Sequence, residues 1–257
     1  MKNNKLSFCV SLTTIPPRAG KIKKTLDSIY NQTRKANKIF LNIPSVFKRF
    51  PEESCDISCI TNLYKNLEIV SCEDFGPGTK LLGSIDKLKN YDYVVLVDDD
   101  HIYNKEMLDF FYQKAILSLE RSYSFCVSQI EDCKVGQGAD GFLINSNFLK
   151  NIFDFFQNQI KNNQKLFYND DLWISIFLNK VLKIDIENIS YLLKKSFFKK
   201  NKSIYKKHTT IESLIEVYSK NRKSARKLRF EENCKEYLLL KNKTKDFTDF
   251  EKINFKY

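Results

Sequence analysis

The chain has 257 residues, 42% of them hydrophobic, with 21 Phe and 13 Tyr against only 7 Gly and 5 Pro. That length suits one large α/β domain, or a domain with a small appendage, and the composition excludes collagen-like, low-complexity and globally disordered chains. The net charge of +12 is uneven: residues 1–193 carry 24 basic against 23 acidic side chains, whereas residues 194–257 carry 19 against 8.

Apolar β-rich runs alternate with helical patterns, the signature of βαβ units. Residues 6–12 read as a first buried strand, ended by Pro16-Pro17. Ile22, Leu26 and Ile29 then fall at helical spacing within 21–31. A second strand over 38–43 stops at Pro44, residues 52–64 read as helical, and 67–71 form a third strand expected beside the first. The turn Phe75-Gly76-Pro77-Gly78 precedes a short helix over 79–88. Residues 93–97 are the clearest strand, a continuous apolar run suited to the middle of a parallel sheet.

Beyond them, 104–121 is a long amphipathic helix, and 124–128 and 141–144 are further strands. Residues 146–162 and 170–181 read as helices, with Ser146 and Asn169 as N-caps. In the basic tail, Ile211, Leu214, Ile215, Tyr218, Ala225 and Leu228 share one helical face. The predicted division is a domain over 1–193 and a basic, helical extension over 194–257.

Seven cysteines, odd in number and without CxxC spacing, argue against a disulfide framework or zinc ribbon and for a reducing compartment. The first apolar run is too short for a signal peptide or membrane span, so a cytoplasmic location is expected.

Asp98, Asp99 and Asp100 end the central strand, and in open α/β sheets ligands bind outside the carboxyl ends of strands. Strand alternation would put Asp98 and Asp100 on one face and Asp99 on the other. Adjacent carboxylates repel unless a cation or donor neutralises them. Mg²⁺ or Mn²⁺ would do so and keep positions for diphosphate oxygens. A polar strand end or a helix cap is the structural alternative. A haloacid-dehalogenase phosphatase would need Thr where Ile102 stands.

Thr13, Thr14 and Arg18 follow the first strand, where hydroxyls can read a base edge and Arg can hold phosphate bidentately, or where they simply form a capped turn. Asp74 can accept from a base N–H or a ribose hydroxyl. The segment 76–80 lacks the length and GK[ST] of a P-loop, yet its glycines permit close backbone approach and Lys80 can pair with a phosphate. Asp170 and Asp171 begin a helix, whose dipole favours ionised carboxylates, with helix capping as the alternative. Trp173 is read as core.

Together VSLTTIPPR (10–18), CEDFGPGTKL (72–81), YVVLVDDDHIY (93–103), GADGF (138–142) and NDDLW (169–173) resemble GT-A glycosyltransferases, in a family-2-like branch of bacteria and large DNA viruses. The resemblance covers residues 6–182. It implies an α/β fold of the GT-A, Rossmann-like type: a mainly parallel twisted sheet with helices on both faces, here followed by the basic helical extension. It also implies transfer of a hexose or similar sugar from a UDP- or GDP-sugar to a hydroxyl of a glycan or lipid-linked acceptor, with Mn²⁺ or Mg²⁺ bound through the DxD motif.

By that resemblance Asp98 approaches ribose, sugar or metal, Asp99 lies between, and Asp100 holds the metal. The stretch 137–141 lies under donor sugar and acceptor, where Asp140 binds sugar hydroxyls or else simply forms a turn, and Asp171, with Asp170 before it, is the general base of an inverting mechanism. A C-terminal histidine, His208, completes the metal site or else lies on the surface. One departure is that the acidic base-binding residue expected after the second strand is replaced by Asn42-Ile43-Pro44.

The tail's charge and amphipathic pattern suit peripheral contact with an anionic membrane at its inner face, or a helix docked on the domain. No base-reading or stacking motif points to nucleic acid. A nucleotidyltransferase acting on sugar phosphates, or a non-enzymatic interaction module, are the other readings.

Overall fold

In β1 (Phe8–Thr13) apolar side chains alternate: Phe8, Val10 and Leu12 join one buried cluster, and Cys9 joins the other. The same alternation recurs in β4 (Tyr93–Leu96), where Tyr93 and Val95 face one layer and Val94 and Leu96 the opposite one. A strand buried on both faces needs helices on both, and that requirement sets the architecture. The computed structural model describes residues 6–195, 202–203 and 222–247.

The remaining strands are β2 (Lys38–Pro44), β3 (Leu67–Cys72), β5 (His101–Ile102), β6 (Arg121–Ser124), β7 (Val127–Ile130), β8 (Cys133–Gly136), β9 (Phe142–Asn145), β10 (Asp185–Asn188) and β11 (Lys202–Ser203). Seven of them form one sheet in the order β10-β6-β9-β4-β1-β2-β3. β4, β1, β2 and β3 run parallel, β9 is antiparallel to both β4 and β6, and β10 is parallel to β6. The mainly parallel α/β sheet expected from the sequence is therefore present. β3, however, pairs with β2 at the edge of the sheet, and it is β4 that lies beside β1.

Several helices are shorter than their patterns predict. Residues 52–64 hold only the 3₁₀ turn Ser58–Ile60. The predicted helix over 79–88 is two single turns, Thr79–Leu82 and Ile85–Leu88, separated at Gly83-Ser84. The amphipathic run after the Asp cluster is helical over Met107–Ala115. Residues 146–160 break into a 3₁₀ turn, an α-turn and a π-helical segment, with Asn151 at φ 60° interrupting them. Asn145, not Ser146, caps that segment by accepting from the Asn147 N–H at 3.0 Å.

Of the tail, the helix Arg222–Lys243 is docked on the domain. Tyr237, Leu240 and Phe247 enter the larger hydrophobic cluster, and the Tyr237 hydroxyl donates to Asp132 Oδ1 at 2.6 Å. Leu228, predicted on an apolar face, is 40% exposed. Ile211, Leu214, Ile215 and Tyr218 of that pattern lie outside the described residues, as does His208. Among the described residues no helix is long and apolar enough to cross a membrane, and all seven cysteines are free thiols.

Candidate functional site

The carboxyl ends of β1 and β4 open into a cleft of about 630 Å³, in the usual range for a small-molecule site. Its floor is the turn after β4. Val97 still bonds to the Ser11 carbonyl at 3.2 Å, but Asp98, Asp99 and Asp100 have left the strand. Buried Tyr103 pins this turn: its hydroxyl accepts the Asp98 N–H at 2.8 Å and lies 3.2 and 3.3 Å from the Asp98 and Ala139 carbonyls. Thr25 Oγ1 donates to the Asp99 carbonyl at 2.7 Å.

Because a turn replaces the strand, simple alternation does not govern the three carboxylates. Asp98 contacts Lys80. Asp99 accepts from Thr14 Oγ1 at 2.6 Å and pairs with Arg18 at 3.0 Å. Asp100 pairs with the same guanidinium at 3.3 Å and with His101 Nδ1 at 2.7 Å. Asp99 and Asp100 thus share one cation, contrary to the expected split of Asp99 from its neighbours.

Lys80 is 4% exposed and also lies 2.9 Å from Asp170 Oδ2. It reaches this place because its helical turn is held against β1 and β2: Ser11 Oγ donates to the Lys80 carbonyl at 2.5 Å, and Asn42 Nδ2 reaches the same oxygen at 3.4 Å. Asn42 stands where the sequence lacked an acidic base-binding residue, and here it is a buried strut. Asp171 Oδ1 accepts the Gly138 N–H at 2.8 Å. A Cβ on Gly138 would lie 3.0 Å from Lys80 Nζ and 3.4 Å from Asp171 Oδ1, so glycine keeps these groups close.

Burial pushes the Asp99 carboxyl up to about 6, against the pull of Arg18 and Thr14. Burial, reinforced by the Asp170 charge, pushes Asp171 up to about 7. Burial opposes the charge on Lys80, but Asp170, Asp98 and Asp171 outweigh it and hold the ammonium well above the usual lysine range. Asp98 is likewise raised by burial, yet Lys80 holds it below the ordinary carboxylate value. His101 is lowered by burial but raised overall by its bond to Asp100.

Thr13, Thr14, Arg18, Asp74, Lys80, Asp98, Asp99, Asp100, Asp170 and Asp171 all line the cleft. Not all present free groups to it. Thr13 Oγ1 donates to the Asn42 carbonyl at 2.8 Å, and Asp74 accepts the Lys48 and Gly76 N–H groups, each at 2.7 Å. Trp173 is fully buried, its ring 2.7 Å from where a Cβ on Gly78 would stand. Asn169 occupies the N-cap position but makes no side-chain cap bond; its Nδ2 donates to Asn233 Oδ1 at 2.7 Å.

Sequence reasoning missed His101. Its ligand atom and those of Asp98 and Asp100 lie within 4.8 Å of one another, a group that could hold a metal ion. The available signal was its place directly after the Asp cluster. The C-terminal helix was expected, but not its place in the cleft wall, to which it adds Arg229, Glu232, Asn233 and Glu236.

No family model matches the sequence, and no curated protein matches it. Solved structures do resemble it. The mannosyltransferase PcManGT from Pyrobaculum calidifontis, in complex with GDP-Man and Mn²⁺, is matched over 72% of this chain with a TM-score of 0.50 and 13% identity. This chain spans 55% of that protein's length. TarS 1-349 of S. aureus, in complex with UDP-GlcNAc, gives a TM-score of 0.48 at 14% identity, over 83% of this chain and 64% of that one. The 4-diphosphocytidyl-2C-methyl-D-erythritol synthase of Anaerococcus prevotii gives 0.47 at 14%, over 72% and 87%. At such identities the likeness concerns fold alone, and the fold of this chain is the α/β, mainly parallel sheet of the GT-A glycosyltransferases.

Proposed function

We propose that the protein is a glycosyltransferase that moves a sugar from a UDP- or GDP-linked donor to a hydroxyl acceptor. The observation that carries this reading is the convergence of Asp98, Asp100 and His101 within 4.8 Å after the central strand, with Asp98 and Asp100 lining the cleft. Two carboxylates and an imidazole fit Mn²⁺ or Mg²⁺, the imidazole favouring Mn²⁺. When bound, such a cation neutralises the diphosphate leaving group. His101 supplies the imidazole of this proposed site, while His208 lies outside the described residues.

The chain's own groups do the rest. Arg18 and Lys80 offer fixed positive charge to the diphosphate, and because both are already held by carboxylates they need little reorganisation. Thr13, Thr14, Asp74 and Asp99 shape the nucleoside side of the cleft. Asp170 positions Lys80. Asp171 takes the acceptor proton: the Gly138 N–H fixes Oδ1 and leaves Oδ2 for the acceptor, and a carboxyl near 7 suits a general base at neutral pH. A base on a helix start facing the donor site supports inversion.

The test is direct. The protein is incubated with UDP- and GDP-sugars and Mn²⁺, and released nucleoside diphosphate is quantified. Release by the wild type, lost in Asp100→Ala, is expected. Formation of a nucleotide sugar from a nucleoside triphosphate and a sugar phosphate would instead assign nucleotidyl transfer.

A further inference from the structure

The helix Arg222–Lys243 is fastened to the domain in two ways. Tyr237 and Leu240 are held by apolar burial, with the Tyr237 hydroxyl bonded to Asp132. Glu232, Asn233 and Glu236 instead line the cleft and make polar contacts to one segment, 163–169. Glu236, 7% exposed, accepts from Asn163 Nδ2 at 3.0 Å, and Glu232 pairs with Lys165 at 2.8 Å. Asn233 Oδ1 accepts from Asn169 Nδ2 at 2.7 Å. These grips span the helical turn Gln164–Phe167 from its cap, Asn163, to the residue that opens the next helix, Asn169.

Asn169 is where this hold reaches the carboxylates of the site. Its carbonyl accepts the Leu172 and Trp173 N–H groups at 3.1 and 3.2 Å, so it starts the bond ladder of the helix Asp170–Ile176. Its side chain is of the type that caps a helix, a contribution of about 1 kcal/mol, yet it makes no cap bond and turns to Asn233. Local helix stability is given up for a fixed tie to another element. Asp170 and Asp171 come next in the chain; the first lies 2.9 Å from Lys80, and the second accepts the Gly138 N–H at 2.8 Å. Those bonds fix the tips of the two carboxylates, while the setting of the first turn fixes their backbone.

We propose that Asn233 is a positioning residue of the site. Through Asn169 it sets the first turn of the helix Asp170–Ile176, and with it the placement of Asp170 on Lys80 and of Asp171 toward the acceptor. The C-terminal helix is then a working part of the site as well as a stabilising strap. The consequence for turnover rests on the glycosyltransferase reading; the hold itself does not.

The test compares two variants of the full chain, Asn233→Leu, which removes the acceptor oxygen at similar size, and Asn233→Asp, which keeps it. With UDP- and GDP-sugars and Mn²⁺, Asn233→Leu should lower kcat for nucleoside diphosphate release about tenfold or more, because small misplacements of a reacting group are costly. The KM for the donor should stay within about twofold, and Asn233→Asp should restore most of the loss. Tyr237→Phe, which loosens the same helix at Asp132, should lower the melting temperature and leave kcat unchanged. Amide hydrogen exchange over 170–173 reads the hold without turnover: faster in Asn233→Leu, and as in the wild type in Asn233→Asp. Wild-type kcat in Asn233→Leu, or an equal loss in Asn233→Asp or in Tyr237→Phe, would overturn the positioning role. Unchanged exchange in Asn233→Leu would overturn the hold. If the wild type releases no nucleoside diphosphate, the glycosyltransferase reading fails, while exchange still decides whether Asn233 sets the helix start.

Discussion

Lys80 Nζ lies 2.9 Å from Asp170 Oδ2, so a single buried ammonium ties the start of the helix Asp170–Ile176 to the carboxylates after β4. The two acidic motifs of the sequence are 70 residues apart, and this lysine is what makes them one site.

Lys80→Ala should therefore destabilise the protein strongly. It leaves Asp98, Asp170 and Asp171 facing one another without their cation, and breaking a buried pair by removing one partner costs about 3–5 kcal/mol. Lys80→Ala/Asp170→Asn should recover part of that loss, because the two changes act on one interaction. Denaturant unfolding of both variants checks this; equal instability would mean that Lys80 acts through packing and not through charge.

Asp171→Asn should keep donor binding and lower turnover by about two to four orders of magnitude, the range for general acid–base catalysis. Normal turnover in the variant would remove Asp171 as the base and reopen a retaining mechanism.

The pH dependence follows from the same residue, with opposite signs for activity and stability. A base at Asp171, as proposed, must be ionised, so kcat/KM should fall about tenfold per pH unit below about 7, and Asp171→Asn should abolish that limb. For stability, the folded state holds the protons of Asp171 and Asp99 more tightly than the unfolded chain does. Their contribution is fully present below the unfolded carboxyl value of 3.8 and is lost as pH rises through about 6 to 7. Melting of the metal-free protein from pH 4 to 8 should show this decline, and Asp171→Asn should flatten it; an unchanged decline in that variant would count against the assignment.

Gly138→Ala tests the closeness of Lys80 and Asp171. Its methyl group would press on Lys80 Nζ and Asp171 Oδ1 at 3.0 and 3.4 Å. Turnover should fall by more than the change in melting temperature would explain, since small misplacements at a reacting centre are costly.

Much of this was legible in the sequence because burial pattern and strand position are local properties. The continuous apolar run of β4 announced a central strand, and the Asp cluster after it pointed to the place where the cleft opens. What failed depended on long-range contacts. Residues 52–64 look helical, yet only Ser58–Ile60 forms a turn, with Ile60 as its buried anchor. The place of β3 at the sheet edge is a choice of topology that no local pattern encodes. His101 was overlooked because its proximity to Asp100 depends on the turn, which Tyr103 and Thr25 hold from elsewhere. Docking was one of the two readings of the tail, yet Tyr237 and Phe247, which dock it, lie beyond the stretch whose pattern was conspicuous.

Removal of residues 222–257 should accordingly lower stability by several kcal/mol, since Tyr237, Leu240 and Phe247 each contribute about 1.5–3 kcal/mol on burial. A truncated protein that melts like the full chain would contradict the docked helix.

The most direct test of the central claim is thermal stabilisation by UDP and GDP, measured with Mn²⁺ and again with EDTA. A metal-bridged diphosphate at Asp98, Asp100 and His101 predicts stabilisation only with the metal, approaching about 2.7 kcal/mol at a hundredfold excess over Kd, and its loss in Asp100→Ala. Equal stabilisation in EDTA, or no response to either nucleotide, would contradict it.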